Sequence, residues 1–319
     1  MTLQSLKMKE ENNLGYNLTL QQIESESGWL SRAEILCQAL PFLKKFAGQT
    51  FVIKIGGAAM ASDANIKKFA EDVVLLKKSG INIIIVHGGG PQIGEMLKKL
   101  KVETRFVDGL RVTCKDAVEI VEMVLSGSIN KMIASHINSV GGLAFGISGK
   151  DANLIKVKKL VKVEKNSDSN IDKILNLGYV GEPEYINTDI LEFFDNSDII
   201  PVIAPIGVDE EGNTYNINAD TVAGAIASTL SATKLVILSD VDGIKLPNGE
   251  LVSHLTTGVA EELIRDGIIN KGMIPKVRTC IEALDNSVEY VHILNGSRDH
   301  ILLMEVFTES GAGTMIFKD

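Results

Sequence analysis

Hydrophobic positions between residues 51 and 317 follow two periods that alternate along the chain. Residues 51–55 and 81–86 form short, almost wholly apolar runs rich in β-branched side chains, which is typical of strands buried on both faces. Between these runs, residues 62–80 carry apolar side chains at helical spacing, with a capping serine at the start and a glycine at the end. The pattern therefore predicts successive strand–helix units.

Further runs extend this alternation to the C-terminus. The predicted strands lie at residues 143–147, 199–206, 234–238, 290–294 and 314–317, and the predicted helices lie at residues 116–138 and 301–307 and begin near residues 91 and 219. Repeated units of this kind predict an α/β fold, a three-layer sandwich with a mostly parallel central sheet. We expect two lobes, residues 49–207 and residues 208–319.

One segment has a different pattern. Residues 153–187 alternate apolar and polar positions, which indicates β-hairpins in which one face of each strand is buried. We therefore expect these residues to form an antiparallel edge or a flap on the main sheet.

The N-terminal segment also differs from the rest of the chain. Residues 1–30 are mostly polar and weakly periodic, so we expect a disordered extension. Residues 31–48 are predicted to form a helix that begins at Ser31, with Glu34 completing a capping box, and that Pro41 kinks or divides. Because this helix has no partner in its own segment, we expect it to lie on the domain or to cross to another subunit.

Composition and charge exclude several classes of protein. Among 319 residues, 32 Lys and Arg against 41 Asp and Glu give a net charge of −9, which argues against non-specific binding to nucleic acid or anionic membranes. The 3 cysteines are widely spaced, which argues against a disulfide scaffold or a zinc ribbon. No apolar run approaches the roughly 20 residues that span a bilayer. The N-terminus also lacks the apolar core of a signal peptide, so we expect a cytoplasmic protein.

Glycine-rich turns follow two of the predicted strands. Lys54 precedes Gly56 and Gly57 at the end of the first strand, and residues 88–90 are three glycines between the second strand and a helix. Bare backbone at strand ends and amide groups at a helix N-terminus bind phosphates and carboxylates. A single glycine-rich turn is as easily explained by a tight backbone turn that binds no ligand. Two such turns at neighbouring strand ends, with Lys54 in one of them, favour an anion-binding site. The sequence has neither a Walker A loop nor a strand–GxGxxG–helix element, so any nucleotide is held in another way.

Other polar residues have both a functional and a purely structural interpretation. Asn216 and Asp220 flank a helix start, where they could cap the helix only, or Asp220 could hold two lysines while Asn216 donates to a substrate. Lys276 follows a glycine–proline turn, where a lysine is more often solvated. Arg111 could clamp a carboxylate with its planar guanidinium or form a surface ion pair. The His, Cys and Asp residues show no metal-ligand spacing, so no metal site is predicted.

Together these motifs resemble those of the amino-acid kinase family. The similarity extends from about residue 33 to residue 317 and is strongest to members that act on N-acetyl-L-glutamate. The motifs that carry it are Lys54-Ile55-Gly56-Gly57, His87-Gly88-Gly89-Gly90-Pro91, Gly109-Leu110-Arg111-Val112-Thr113, Asn216-Ile217-Asn218-Ala219-Asp220, Ser239-Asp240-Val241-Asp242-Gly243 and Gly272-Met273-Ile274-Pro275-Lys276.

The resemblance implies a reaction and assigns residues to it. The γ-phosphoryl group of ATP would pass to the side-chain carboxylate of N-acetyl-L-glutamate, the second step of arginine biosynthesis. Lys54 and Lys276 would be the catalytic cations, and Asp220 would fix their geometry. The implied substrate-binding residues are Gly89, Gly90, Arg111 and Asn216. The implied ATP-binding residues are Lys54, Gly56, Gly57, Ser239, Asp240, Asp242, Gly243 and Lys276. Mg²⁺ would be carried by the nucleotide, so no protein ligand is implied.

A second part of the resemblance concerns regulation. Arginine-sensitive members have an additional N-terminal helix that joins dimers into a hexamer, and residues 33–48 are similar to that helix. His292, Glu305 and Gly311 match the arginine pocket of those members, whereas Ala58 and residues 295–297 depart from their usual pattern. The resemblance thus implies inhibition by arginine and a homohexamer built as a trimer of dimers. Related enzymes of some phototrophs also bind a PII-type regulator, and the sequence leaves that partner open.

Two alternatives remain at this point. The first is a carbamate, glutamate or aspartate kinase of the same fold, against which Arg111 and the segment 216–220 argue. The second is a non-catalytic arginine sensor, which would be free to lose the residues of the reaction. The presence of Lys54, Asp220 and Lys276 argues against it.

Overall fold

The computed structural model describes residues 26–319 apart from residues 108, 165–172, 196, 271 and 309–310. Its strands are β1 Thr50–Ile55, β2 Asn82–His87, β3 Phe106–Val107, β4 Leu110–Arg111, β5 Leu143–Ser148, β6 Ile155–Glu164, β7 Lys173–Ile186, β8 Ile199–Ala204, β9 Ile206–Val208, β10 Thr214–Ile217, β11 Lys234–Ser239, β12 His254–Thr256, β13 Tyr290–Asn295 and β14 Thr314–Phe317. Its α-helices are α1 Glu26–Phe46, α2 Asp63–Lys78, α3 Gly90–Lys99, α4 Lys115–Glu122, α5 Asn130–Ser139, α6 Thr188–Asp195, α7 Ala219–Thr229, α8 Thr257–Arg265, α9 Met273–Asp285 and α10 Ile301–Phe307.

The described residues contain one central sheet of eight strands in the order β12-β14-β13-β11-β1-β2-β8-β5. Neighbouring strands are parallel except for the pair β13–β14. In the centre of the sheet, Lys54 of β1 lies opposite Ile237 of β11 and Val86 of β2. The prediction of a mostly parallel sheet is confirmed. As a consequence, the turns that follow β1, β2 and β11 meet at one edge of the sheet.

Helices cover both faces of this sheet because alternate strand residues point to opposite sides. On one face, Val52 and Ile84 share a buried core with Val222 of α7 and Leu284 of α9. On the other face the sheet packs against α2, whose apolar stripe is buried and whose capping residue Ser62 accepts a hydrogen bond from the Asn65 amide. The core thus lies in two layers that hold the central strands rigidly.

The helix predicted at residues 116–138 has an irregular middle. Helix α4 continues into a π-helical segment, Met123–Ile129, and then into α5. A π-helical segment inserts an extra residue into the turn and is often found near functional sites. Here it carries Leu125 and Ile129, which contact the glycine turn after β2.

The hairpin segment forms an antiparallel pair as predicted, but it is not at the edge of the main sheet, and that alternative was wrong. Strands β6 and β7 pair antiparallel and close a small barrel with β9 and β10. The run expected as one strand at residues 199–206 divides at Pro205, which cannot donate to a sheet ladder. The chain therefore leaves the main sheet after β8, and β9 enters the barrel.

The described residues divide into two units, residues 26–45 and residues 46–319. In the first, α1 is already helical at Glu26, so the expectation of disorder up to residue 30 and of a helix start at Ser31 was wrong. A serine is tolerated inside a helix, which is why a local capping signal need not mark its start. The helix also continues through Pro41, where it loses one backbone hydrogen bond. Residues 1–25 lie outside the described residues.

The apolar side chains of α1 are notable for their exposure. Trp29 is 63% exposed and Leu36 is 66% exposed. Across the described part of the chain, none of the helices combines the length and the apolar character that a bilayer crossing requires. The division of residues 46–319 into two lobes stays a prediction.

Candidate active site

Two lysines share one carboxylate at the carboxyl edge of the central sheet. Lys54 Nζ lies 2.9 Å from Oδ1 of Asp220, and Lys276 Nζ lies 2.6 Å from Oδ2. The three residues belong to β1, α7 and the first turn of α9, respectively. Asn218 fixes the start of α7, because its side chain accepts a hydrogen bond from the Asp220 amide at 2.8 Å. The fold therefore brings together all three residues predicted as catalytic.

This cluster is largely removed from water. The side chains of Lys54, Asp220 and Lys276 are only 12–14% exposed. Burial by itself would raise the pKa of Asp220, but the charges of the two lysines outweigh burial and lower that pKa to about 2. The carboxylate is thus ionised at neutral pH, and two ammonium groups are held side by side around it.

The glycines after β1 leave room for Lys54 and for an approaching ligand. A side chain at Gly56 would place its Cβ 3.0 Å from Lys54 Nζ. Gly57 has a φ of +51°, a left-handed conformation that glycine adopts without strain, and nothing lies within 4 Å of the place its Cβ would take. The backbone beside Lys54 is therefore open to a phosphate.

The glycine turn after β2 is held from both sides. A side chain at Gly89 would collide with Leu125 and Ile129 of the π-helical segment. The carbonyl of Gly90 accepts a hydrogen bond from Arg111 Nη2 at 2.9 Å. Because Gly89 is the cap and Gly90 the first residue of α3, their amide groups have no intrahelical acceptor. They are the kind of donors that bind an anion.

A cavity of about 160 Å³ lies over this turn. Its lining includes all four residues predicted to bind the substrate, Gly89, Gly90, Arg111 and Asn216. The guanidinium of Arg111 stacks on the Phe106 ring at 4.5 Å, a contact that the sequence did not reveal because Phe106 belongs to a two-residue strand with no periodicity.

A second cavity, of about 840 Å³, adjoins the first. The two share Gly109, Leu110, Val180 and Asn218 in their linings, and Asp220 and Lys276 line the larger one. The paired charges of the lysine–aspartate cluster thus lie beside the space that the predicted substrate residues enclose.

The remaining residues predicted for ATP follow β11. Ser239 ends that strand, and its Oγ donates to the adjacent Asp240 at 3.2 Å. Asp242 accepts hydrogen bonds from Lys245 Nζ at 2.7 Å and from Asn295 Nδ2 at 2.9 Å. A side chain at Gly243 would collide with Thr314, so that position requires glycine. Since β11 is the parallel neighbour of β1, this loop begins at the same sheet edge as Lys54.

The three residues predicted for arginine also lie together. His292 Nδ1 is 2.7 Å from Glu305 Oε1, and the amide of Ala312 donates to Glu305 Oε2 at 2.8 Å. A Cβ on Gly311 would lie 3.4 Å from that same oxygen. Burial raises the pKa of Glu305, but the hydrogen bonds from His292 and from the Ala312 amide help to outweigh burial, so the net shift is downward. Burial is also the main reason that the pKa of His292 is lowered.

No group of three or more His, Cys, Asp and Glu side chains is arranged to hold a metal ion among the residues described.

Comparison with known proteins places the chain in a family. The family model for the amino acid kinase family matches residues 49–295. The chain is 50% identical to acetylglutamate kinase of Rhodospirillum centenum over 92% of this chain and 96% of the relative. It is 53% identical to acetylglutamate kinase of Parvibaculum lavamentivorans, over 91% and 95%, and 48% identical to that of Ehrlichia chaffeensis, over 97% of each. The chain belongs to the amino acid kinase family. It is a kinase, and kinases of this family use ATP.

Solved structures agree with this assignment at the level of the fold. An N-acetylglutamate synthase from Neisseria gonorrhoeae, complexed with coenzyme A and N-acetyl-glutamate, matches with a TM-score of 0.78 at 24% identity and 90% coverage of this chain. The chain spans 63% of that synthase. Carbamate kinase from Giardia lamblia bound to AMP-PNP matches with a TM-score of 0.61 at 19% identity, over 86% of this chain and 99% of that one. The predicted fold class is confirmed.

The lysine–aspartate cluster generates a pH prediction. A carboxyl group whose pKa is lower in the folded state stabilises the fold above its unfolded pKa, and this contribution is lost as the pH falls towards the folded value. For Asp220 these values are 3.8 and about 2. We therefore expect the free energy of unfolding of the wild type, relative to the Asp220→Asn variant, to fall by about 1 kcal/mol between pH 6 and pH 3. Urea denaturation at both pH values measures this difference, and an equal pH dependence in both proteins would contradict it.

Proposed function

We propose that this kinase transfers the γ-phosphoryl group of ATP to the side-chain carboxylate of N-acetyl-L-glutamate. The observation that carries the proposal is the Asp220 carboxylate held between two ammonium groups, beside a cavity lined by Arg111 and Asn216. The relatives named acetylglutamate kinase, at about half identity over nearly the whole chain, support the same acceptor. They also support a role in arginine biosynthesis.

In this proposal, Arg111 and Asn216 orient the acceptor. The guanidinium of Arg111 pairs with the α-carboxylate, and the Asn216 amide bonds the acetamido group. The amide groups of Gly89 and Gly90 then receive the side-chain carboxylate, which is the nucleophile. A carboxylate is already ionised at neutral pH, so the reaction needs no general base. Its rate depends on alignment and on neutralisation of charge.

The two lysines neutralise the charge that develops during transfer. One carboxylate oxygen of the acceptor forms a bond to the γ-phosphorus while the bond to the β–γ bridging oxygen breaks, which gives an acyl phosphate and ADP. Lys54 and Lys276 flank the transferred group, and Asp220 keeps them in place. The backbone at residues 56–57 and the loop at residues 239–243 hold the nucleotide. Mg²⁺ bound to the nucleotide phosphates supplies further positive charge there.

Trapping the acyl phosphate with hydroxylamine tests both the acceptor and the lysines. We expect ATP-dependent turnover with N-acetyl-L-glutamate and not with glutamate, aspartate or carbamate, because only the first has both an acetamido group and an α-carboxylate to bind. Lys276→Met should lower kcat about 100- to 1,000-fold, as for the loss of a donor that stabilises transition-state charge.

The matched control is Lys99→Met, which removes an exposed lysine that, among the described residues, pairs only with its helical neighbour Glu95. We expect that variant to have the turnover of the wild type. Turnover confined to carbamate, glutamate or aspartate would refute the proposed acceptor, and an active Lys276→Met variant would refute the role of that lysine.

We further propose that arginine inhibits this enzyme at the cluster formed by His292, Glu305 and Gly311. The carboxylate of Glu305 is largely buried. In the described structure one of its oxygens is paired with His292 and the other accepts a hydrogen bond from the Ala312 amide. A guanidinium presents two parallel donors to such a carboxylate, which matches the geometry that Arg–carboxylate pairs adopt. This feature supports a site for the guanidinium of free arginine.

Substitution of Glu305 tests the inhibitor site. We expect Glu305→Gln to raise the arginine concentration for half-inhibition by about 10-fold or more, since the variant loses a hydrogen bond between charged groups. Glu261→Gln, which alters an exposed carboxylate on α8, should leave that concentration unchanged. Steady-state assays with increasing arginine measure both values. A wild type that arginine does not inhibit, or an unchanged Glu305→Gln variant, would remove this site from the proposal.

The exposure of α1 supports the proposed hexamer. Ile35 and Leu36 are 62% and 66% exposed on a helix of 21 residues, and such side chains are commonly covered in an assembly. A second copy of the same helix would cover them in a trimer of dimers.

Light scattering on a single-site variant tests this assembly. We expect the wild type to have the mass of six chains and Leu36→Glu the mass of two, because a buried charge at that contact is costly. Gln38→Glu introduces the same charge at an exposed polar position of α1 and should leave the hexamer intact. A wild-type mass of two chains would refute the hexamer.

A further inference from the structure

A buried histidine and a buried asparagine lie beneath the glycine turn after β2. His87 ends that strand, is fully buried, and has Nδ1 3.0 Å from the carbonyl oxygen of Gly88. A carbonyl oxygen only accepts, so Nδ1 carries the proton and Nε2 is left as an acceptor. Asn130 Nδ2, a donor, lies 3.3 Å from that Nε2. The two side chains therefore form a directed chain of hydrogen bonds that ends on the glycine turn.

Asn130 joins three neighbouring strands through one amide group. Its Nδ2 also lies 2.8 Å from the carbonyl oxygen of Val202 in β8 and 3.1 Å from that of Ile147 in β5. The two hydrogens of Nδ2 therefore serve three acceptors, and the contact with His87 Nε2, the longest of the three, is a shared hydrogen bond. Its Oδ1 accepts from Lys131 Nζ at 3.2 Å, which identifies the oxygen end of the amide. Any side chain at Gly146 of β5 would collide with that oxygen, so the strand leaves a space for this amide. Asn130 is thus fixed by contacts on every side.

The π-helical segment completes this support. Asn130 follows directly on Ile129, whose side chain, with that of Leu125, fills the space that a side chain at Gly89 would occupy. The same part of the helix therefore holds the glycine turn at two points. Ile129 supports the Gly89 backbone by packing, and Asn130 supports the Gly88 carbonyl through His87.

We propose that Asn130 is a positioning residue for the phosphoryl acceptor, and that it acts through His87 on the turn formed by residues 88–90. The amides of Gly89 and Gly90, which line the smaller cavity, would thereby face the acceptor at a fixed angle. Burial lowers the pKa of His87 to about 4, so its ring stays neutral at physiological pH and the direction of the hydrogen bonds is kept. This role deepens the proposed function and rests on it for the identity of the acceptor.

Kinetics of Asn130→Ala measure the effect on the acceptor. We expect the KM for N-acetyl-L-glutamate to rise about 10- to 100-fold, as for a small displacement of a positioning group, while the KM for ATP changes less than about 3-fold. Asn138→Ala is the matched control, because Asn138 joins the same helix to β5 at Ala144 and has no contact with His87 in the described structure. A purely structural role for Asn130 would lower the amount of active enzyme and leave both KM values unchanged, which would overturn the proposal.

Hydrogen exchange tests the positioning without any substrate. The bonds from the Gly88 amide to Ile55 at 2.8 Å and from the Ile93 amide to Gly89 at 2.9 Å bracket the turn. We expect both amides to exchange faster in Asn130→Ala than in the wild type and in Asn138→Ala. Equal exchange in all three proteins would overturn the proposal. If the wild type does not phosphorylate N-acetyl-L-glutamate, the proposed function fails. The exchange rates of the three proteins are measured without substrate, so they still test whether Asn130 positions the turn.

A double substitution tests whether the two side chains act in series. His87→Asn keeps a donor near the Gly88 carbonyl but is too short to reach Asn130. If Asn130 acts through His87, the Asn130→Ala/His87→Asn protein should have an acceptor KM within about 3-fold of Asn130→Ala alone. A KM change equal to the product of the two single effects would show that the residues act independently, and would overturn the proposed path.

Discussion

The carboxylate of Asp220 is the constraint on which the rest of the site depends. Its partners, Lys54 and Lys276, come from β1 and from α9, far apart in the chain. Burial of an unpaired charge is costly, so the Asp220 carboxylate is stabilised in this position by the two ammonium groups that reach it. This pairing fixes the start of α7 and the start of α9 relative to the central strand. It also keeps two positive charges together beside the larger cavity, where we propose that the phosphoryl group is transferred.

The parallel sheet explains why the other functional groups lie nearby. Strands β1, β2 and β11 are adjacent and parallel, so the turns after them share one edge. Each turn contains at least one glycine, and at Gly57 and Gly90 nothing lies within 4 Å of the place that a Cβ would take. The lysine–aspartate cluster supplies charge, and these turns supply shape and amide donors. Together they make up the site at which we propose that the phosphoryl transfer takes place.

Local patterns identified most of the elements, and they failed where distant contacts decide. The buried runs at residues 51–55 and 234–238, and the cap at Ser62, appear in the structure almost as predicted. Alternation at residues 153–187 correctly indicated hairpins, but it contained no information on their partners in the barrel. Likewise, Phe106 beneath Arg111 has no sequence signal, because stacking joins residues whose separation obeys no period.

The sequence by itself determined the α/β class and the glycine turns, since these depend on periodicity and on residue type, and its resemblance to the amino-acid kinase family supplied the candidate residues Lys54, Asp220 and Lys276. Only the tertiary structure decided that one carboxylate binds both lysines, that the hairpins close a barrel, and that Asn130 reaches His87. The physical reason is that distances between residues remote in the chain are set by packing. A pattern read along the chain records which face of an element is buried, and it does not record which element covers that face.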